Sequence, residues 1–171
     1  MGLCCSAPDM GPVQPNLPVR KPSSEAEVEL FPRHDSLKLK LTLTFSCSNL
    51  EIKGRKSGRG TCCVLWKLKG KDGEEKTKVG RLGMTEVIHD NRNPRFSSPI
   101  EVDFFFEEAH QCRVEVLHID DANRIDNATK EDLVGSVDLT LHQIITKRQQ
   151  AFEAALENAD IASPGAISIQ A

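Results

Sequence analysis

The chain has 171 residues, 39% of them hydrophobic, and carries a formal net charge of −3 at pH 7. This length predicts one domain with a flanking segment, and this apolar content is enough for a packed core. We expect no transmembrane helix, because no run approaches about 18 consecutive apolar residues. We expect no secretory signal either, because the N-terminus lacks a basic region followed by an apolar one. The six cysteines are therefore predicted to be free thiols in a reducing compartment.

The first six residues, MGLCCS, match the pattern that directs N-myristoylation, with Gly2 as the acceptor amine and Ser6 at the required position. One myristoyl chain gives only marginal membrane binding, about 10⁴ M⁻¹, so a second signal is needed. Palmitoylation of Cys4 and Cys5 would supply it. A chance match with two inert cysteines is the alternative. We favour dual acylation, which predicts a location on the cytoplasmic face of a membrane, with the plasma membrane favoured.

Residues 1–35 are predicted to form a disordered, proline-rich tail. Proline interrupts every candidate helix or strand in this part of the chain, at positions 8, 12, 15, 18, 22 and 32. Such a segment cannot bury enough apolar surface to offset the entropy lost on ordering. The tail would act as a spacer between the acylation signal and a folded domain at residues 36–171.

The pattern changes at Leu37, where LKLKLTLTF alternates apolar and polar residues with the period of a half-buried strand. Gly80 and Gly83 in the third predicted strand indicate a bulge or a close approach of two backbones. Eight strands are predicted in all, at 37–45, 61–68, 79–89, 99–107, 112–119, 133–144, 152–157 and 166–171. Eight short strands without intervening helices predict an all-β fold, an eight-stranded antiparallel sandwich of two sheets.

Four segments in this order resemble a C2 domain, the β-sandwich that binds calcium and phospholipid: LKLKLTLTFSCSNL, TEVIHDNRNPRFSSP, CRVEVLHIDD and EDLVGSVDLTLHQI. Within that class the sequence looks most like the first C2 domain of the copines, in details such as CCVLW and GRLGMTEV. The resemblance covers residues 37–171. A copine would continue into a second C2 domain and a von Willebrand A-like domain, so functions of those domains are not expected of this chain.

The resemblance implies five aspartates around a calcium site, two in the loop 51–61 and three in the loop 117–135. Those five positions are occupied here by Gly54, Gly60, His118, Asp120 and Asp132. Asp121 and Asp126 lie nearby but off the pattern. Two carboxylates cannot supply the six to eight oxygen ligands of calcium, and the cations of the first loop would repel the ion. We therefore expect Asp120 and Asp132 to be a residual site that pairs with those cations, and we expect no cofactor.

Basic residues are concentrated in residues 51–81, with ten Lys and Arg against four Asp and Glu. The first loop carries Lys53, Arg55, Lys56 and Arg59, and each cation near an anionic leaflet contributes about 1 kcal/mol. A second set follows on two strands and their turn: Lys67, Lys69, Lys71, Lys76, Lys78 and Arg81. Many C2 domains bind phosphoinositide headgroups on such strands, and Lys67 and Lys69 share the parity that puts them on one face. An ordinary solvated face and a protein-binding surface are the alternatives.

The remaining residues do not indicate catalysis. Cys62 and Cys63 are adjacent and would point to opposite faces of a strand, so the two with Cys47 and Cys112 are predicted to be core residues. No nucleophile or phosphate-loop motif is present in the sequence. We expect no enzyme, no small-molecule substrate and no nucleic-acid partner, since no aromatic residues are interleaved with the basic run.

The sequence thus predicts a lipid-anchored, non-enzymatic, membrane-associated C2-domain protein that binds anionic phospholipid largely without calcium. One alternative is a membrane-anchored adaptor whose C2-like domain binds a protein partner. The other is calcium-dependent phospholipid binding through the reduced site.

Overall fold

The computed structural model describes residues 38–52, 59–70, 75–120, 122–147 and 150–171. Several predicted features lie outside the described residues: the tail with Gly2, Cys4 and Cys5, most of the turn that contains Lys71, the loop residues Lys53, Gly54, Arg55 and Lys56, and Asp121. These features, and the domain boundary at residue 36, remain predictions.

The described residues form nine strands: β1 Lys38–Ser48, β2 Gly60–Lys69, β3 Thr77–Met84, β4 Ile88–His89, β5 Ile100–Phe105, β6 Gln111–Ile119, β7 Leu133–Thr140, β8 Phe152–Ala155 and β9 Ala166–Gln170. Two 3₁₀ helices, Ala122–Asn127 and Lys130–Asp132, lie between β6 and β7, and one short α-helix, α1 Leu141–Thr146, follows β7. Within the described residues, no helix has the length and apolar character needed to span a membrane.

The strands pair in two antiparallel sheets with the orders β5-β1-β9-β8 and β3-β2-β6-β7, and β4 adds to the edge of β2. The predicted two-sheet antiparallel sandwich is therefore confirmed. The last strand, β9, lies between β1 and β8, so the C-terminal end of the domain completes the sheet that the first strand begins.

The hydrophobic core lies between the two sheets. Alternate residues of β1 are buried, including Leu43, and they pack with Phe104 and Ile169 of the same sheet and with Leu65 and Val114 of the other. The alternation read from the sequence therefore describes β1 correctly, because successive side chains of a strand point to opposite faces.

The four described cysteines are buried free thiols, as predicted. Cys63 faces the main core, where its Sγ lies 3.8 Å from Sγ of Cys47. Cys62 points to the opposite face and packs in a second apolar cluster with Val64 and Leu117. Burial raises the pKa of Cys62 to about 12 and that of Cys112 to about 11, so neither thiol is a reactive thiolate at neutral pH.

The sixth predicted strand, 133–144, is too long. β7 ends at Thr140, and α1 begins there with a capping box in which Thr140 Oγ1 accepts from Gln143 N and Gln143 Oε1 accepts from Thr140 N. Leu141 and Ile144 are buried on one side of this helical turn. The apolar positions of LTLHQI fit the period of a strand and also that of a helix. The capping pair Thr140 and Gln143 favours the helix.

The third predicted strand, 79–89, is also corrected, because it divides into β3 and β4. Thr85 ends β3, since its hydroxyl accepts from Cys63 N and its N–H donates to Cys63 O. The predicted irregularity is present: the pairing of β3 with β2 shifts register twice, and a side chain at Gly83 would collide with Ile100 of the facing sheet.

Glu86, between β3 and β4, fixes the loop that precedes β5. Its carboxylate accepts from Ser97 N at 2.6 Å, from Ser97 Oγ at 2.8 Å and from Ser98 N at 2.9 Å. Burial would raise the pKa of Glu86, but these hydrogen bonds outweigh it and lower the pKa to about 2. The segment NPRF at positions 93–96, just before this loop, lies along β1, where Phe96 N donates to Phe45 O.

The Glu86→Gln variant should be less stable than the wild type at pH 7 by about 1–2 kcal/mol, after allowance for solvent screening. A carboxylate with a lowered pKa stabilises the fold above its unfolded pKa, here 4.5, and loses that contribution as the pH falls through about 2. Urea unfolding of both proteins between pH 7 and pH 2 should show the difference shrinking with acid. Glu153→Gln, which replaces an exposed carboxylate of β8, is the control. A difference independent of pH would contradict the assignment.

Candidate functional site at the loop tip

The register of β2 and β6 brings Arg59, just before β2, to the same end of the sandwich as Asp120, just after β6. Gly60, the first residue of β2, is paired with Ile119, the last residue of β6. Arg59 therefore precedes the pair on one strand and Asp120 follows it on the other. The 3₁₀ helix Lys130–Asp132 leads into β7 beside β6, which places Asp132 at the same end of the sandwich. We call this end, with Arg59, Asp120 and Asp132, the tip.

Arg59 connects the two carboxylates that the sequence indicated as a residual calcium site. Its Nε donates to Asp120 Oδ1 at 2.7 Å, and its Nη2 donates to Asp132 Oδ1 at 2.7 Å. The Arg59 side chain is 16% exposed, that of Asp132 is 13% exposed and that of Asp120 is 49% exposed. We call this contact of Arg59 with Asp120 and Asp132 the Arg59 bridge. The predicted pairing of acidic and basic loops is present for this cation.

The second oxygen of Asp132 is also occupied. Asp132 Oδ2 accepts from the backbone N–H of Thr129 at 2.9 Å and from the Thr129 hydroxyl at 2.8 Å. Burial would raise the pKa of Asp132, but the Thr129 hydrogen bonds and Arg59 outweigh it and lower the pKa. Burial would lower the pKa of Arg59, but its hydrogen bonds to Asp120 and Asp132 raise it. Both partners are therefore fully charged at neutral pH.

A second arginine engages the same loop. Asp126, in the 3₁₀ helix after β6, lies 2.9 Å from Nη1 of Arg81 on β3. Asp126 and the two partners of Arg59 thus have their carboxylates in ion pairs with arginine side chains. Arginine is suited to this arrangement because its planar guanidinium presents several donors in fixed directions.

These residues do not fit a calcium ion. Among the described residues, no three His, Cys, Asp or Glu side chains come together in a way that would hold a metal. His118, at one expected aspartate position, is a buried imidazole. Calcium takes six to eight oxygen ligands. Here Asp120 Oδ1 and both carboxylate oxygens of Asp132 already accept hydrogen bonds, from Arg59 and from Thr129.

Close packing explains why glycine stands at a second expected aspartate position. A Cβ on Gly60 would collide with the Val87 side chain and lie 3.0 Å from both His89 Nδ1 and Ile88 O. β4 lies directly against this residue. An aspartate side chain at position 60 would therefore collide with β4.

Gly60→Ala should lower the free energy of unfolding by about 1–3 kcal/mol, the usual effect of overpacking a filled site. Gly80→Ala is a matched control within the same sheet, because a Cβ at Gly80 would have no neighbour within 4 Å. Denaturant unfolding of the two variants measures the difference. Equal stability of Gly60→Ala and the wild type would show that β4 can move aside.

The second basic set divides between two surfaces. Lys67 is paired with Cys112, a residue of the main core, so its side chain is on the core-facing side of β2. It lies at the end of β2 that is far from the tip. Lys67 and Lys69 are both exposed, and the alternation predicted for them is present. Lys78 lies on the other face, where it pairs with Glu115 and its Nζ is 4.9 Å from the Trp66 ring centroid.

The ion pairs of this second set also differ. Lys78 and Arg81 neutralise Glu115 and Asp126, whereas no ion pair to a described residue is present for Lys67 or Lys69. Sequence reasoning did not separate these two classes of cation, since their acidic partners, Glu115 on β6 and Asp126 in the 3₁₀ helix that follows, are distant in sequence. It also did not single out Val79 and Leu82 of β3, which are 52% and 36% exposed.

Comparison with known structures agrees with this architecture. A C2 domain of plant extended synaptotagmin 1 superposes with a TM-score of 0.51 and 16% identity, covering 76% of this chain and 89% of that domain. The sandwich described above therefore has the fold of a C2 domain.

The sequence of this domain is similar to copines. Copine-E of Dictyostelium discoideum is 31% identical over 109 residues, which are 63% of this chain and 18% of the relative. Nicotinic receptor-associated protein 1 of Caenorhabditis briggsae is 33% identical over 64 residues, covering 37% of this chain and 10% of that protein. No protein-family model matches the chain. The chain spans less than a fifth of the length of these curated relatives.

Proposed function

We propose that the protein is a non-enzymatic, membrane-associated C2 protein that binds anionic phospholipid without calcium. The observation that carries the proposal is the distribution of charge. The tip carboxylates Asp120 and Asp132 are engaged by Arg59, while Lys67 and Lys69 are exposed and form no ion pair with a described residue. A surface with such cations attracts an anionic leaflet directly and needs no divalent ion between protein and lipid.

The acyl groups complete this proposal. Two basic residues contribute about 1 kcal/mol each near an anionic surface, which is a weak contact by itself. Myristoylation of Gly2 and palmitoylation of Cys4 and Cys5 would hold the domain near the cytoplasmic face of a membrane, where the effective concentration of lipid is high. The intact mass of the N-terminal peptide from the native source tests this anchor: an unmodified Gly2 would remove it.

Vesicle binding of the full chain, produced without acylating enzymes, tests the lipid contact. The protein should bind phosphatidylcholine vesicles that contain phosphatidylserine and a phosphoinositide, equally in calcium and in chelator, and should dissociate as salt is raised. The double variant Lys67→Gln and Lys69→Gln should bind roughly tenfold to thirtyfold more weakly, as expected for two contacts of about 1 kcal/mol.

The double variant Lys38→Gln and Lys40→Gln is the matched control. These two lysines lie on the other sheet, where they pair with Asp103 and Glu101, and their removal changes the net charge by the same amount. The control should bind like the wild type. Equal weakening by both double variants would assign the attraction to net charge and overturn the proposed surface. Binding that requires calcium would overturn the proposal as a whole.

A membrane-anchored adaptor that binds a protein partner is the second candidate. The edge strand β3 exposes Val79 and Leu82 where its register shifts against β2. One similar protein is named for its association with the nicotinic receptor. Under this hypothesis the acyl groups alone contact lipid, and the unacylated chain binds no vesicle of any composition.

A further inference from the structure

Two exposed apolar residues of β3 lie where its pairing with β2 shifts register. The pairs along the two strands omit Leu82 at one shift and Val79 at the other, so neither residue has a register partner on β2. They are 36% and 52% exposed. The extra residue of a β-bulge is left out of the ladder, and the bulge re-aims side chains. We call Val79 and Leu82 the bulge pair.

The bulges make β3 unsuited to the addition of another strand. β3 is the edge strand of its sheet, and among the described residues it pairs only with β2. A peptide that adds to an edge needs a regular row of backbone N–H and C=O groups. Two bulges in one short strand interrupt that row, and bulges are a common means of preventing edge pairing. A surface that is contacted through side chains alone needs no such row.

Cations without ion pairs lie beside the bulge pair. Lys67, Lys69 and Lys76 form no ion pair with a described residue. Gly80 is paired with Lys67, and a Cβ at Gly80 would meet no atom within 4 Å, so the space beside Lys67 is open toward the edge. Glu75 is the only acidic residue among the described residues of the range 60–84. The edge therefore combines exposed apolar side chains with positive charge.

We propose that the bulge pair inserts into the headgroup–acyl boundary of an anionic leaflet while Lys67 and Lys69 contact the headgroups, so that the β3 edge lies against the membrane. This inference rests on the proposed function and names the apolar residues of that lipid contact. Binding at a membrane interface grows with the apolar area that leaves water and with attraction to anionic lipid. The β3 edge offers both in one place.

Vesicle binding of the full chain, produced without acylating enzymes, tests the inference. The double variant Val79→Ser and Leu82→Ser should bind vesicles of phosphatidylcholine, phosphatidylserine and a phosphoinositide about tenfold more weakly. Its affinity should fall with salt along the same slope as that of the wild type, because no charge is removed. The double variant Leu39→Ser and Phe106→Ser is the matched control, since it removes two exposed apolar residues at the β1–β5 side of the other sheet. The control should bind like the wild type.

The double variant Val79→Leu and Leu82→Phe gives a measurement that a loss of stability cannot imitate. Larger apolar side chains at the bulge pair bury more area in the leaflet, so this variant should bind the same vesicles about threefold to tenfold more tightly. It also keeps the inference testable if the serine variant does not fold.

The outcomes separate this inference from the proposed function. If both bulge-pair variants bind like the wild type while Lys67→Gln with Lys69→Gln still binds weakly, the inference is wrong and the proposed function stands. Equal weakening by the serine variant and its control would also overturn the inference, because the effect would not be specific to β3. A wild type that binds no vesicle of any composition would overturn the proposed function itself and would favour a protein partner for the bulge pair.

Discussion

One guanidinium between two carboxylates determines how the loop end of this C2-like sandwich is organised. Arg59 contacts Asp120 and Asp132 at 2.7 Å each, and it reaches both because β2 and β6 are paired up to Gly60 and Ile119. A shift of this register by one residue would turn every side chain of β2 to the other face. The hydrophobic core that fixes the register therefore also fixes the charge at the tip.

In this arrangement the negative charges of the loop aspartates are balanced by arginine side chains of the same domain. Arginines engage Asp120, Asp126 and Asp132, while Lys67 and Lys69 stay exposed elsewhere on β2. A fixed cation cannot respond to calcium, but attraction between exposed lysines and an anionic surface still responds to salt. The proposed membrane contact is accordingly constitutive, and its strength would depend on the lipid composition and on the anchor.

The strands could be predicted from the sequence because alternation at period two is a strictly local signal. It identified β1 with its alternating buried residues, and it separated Cys62 from Cys63 correctly. It failed after Thr140, where a capping pair with Gln143 starts a helix. The strand order was also beyond reach, since nothing local indicates that β9 inserts between β1 and β8.

The candidate site was predictable in kind and not in detail. Composition and the C2 resemblance indicated acidic residues neutralised by loop cations, but the identity of the cation followed only from the pairing that places Arg59 beside Asp120. The crowding at Gly60 depends on Val87, which is 27 positions away along the numbering and adjacent only in the folded sheet. Contacts of this type come from tertiary packing and leave no periodic trace in the sequence.

A crystal structure of the full chain grown in millimolar calcium would reveal whether arginine or an ion lies between the two aspartates. We expect the Arg59 guanidinium to lie between Asp120 and Asp132, with both contacts close to 2.7 Å as here and with no ion at that point. A calcium ion coordinated by the two aspartates, with Arg59 turned away into solvent, would contradict it.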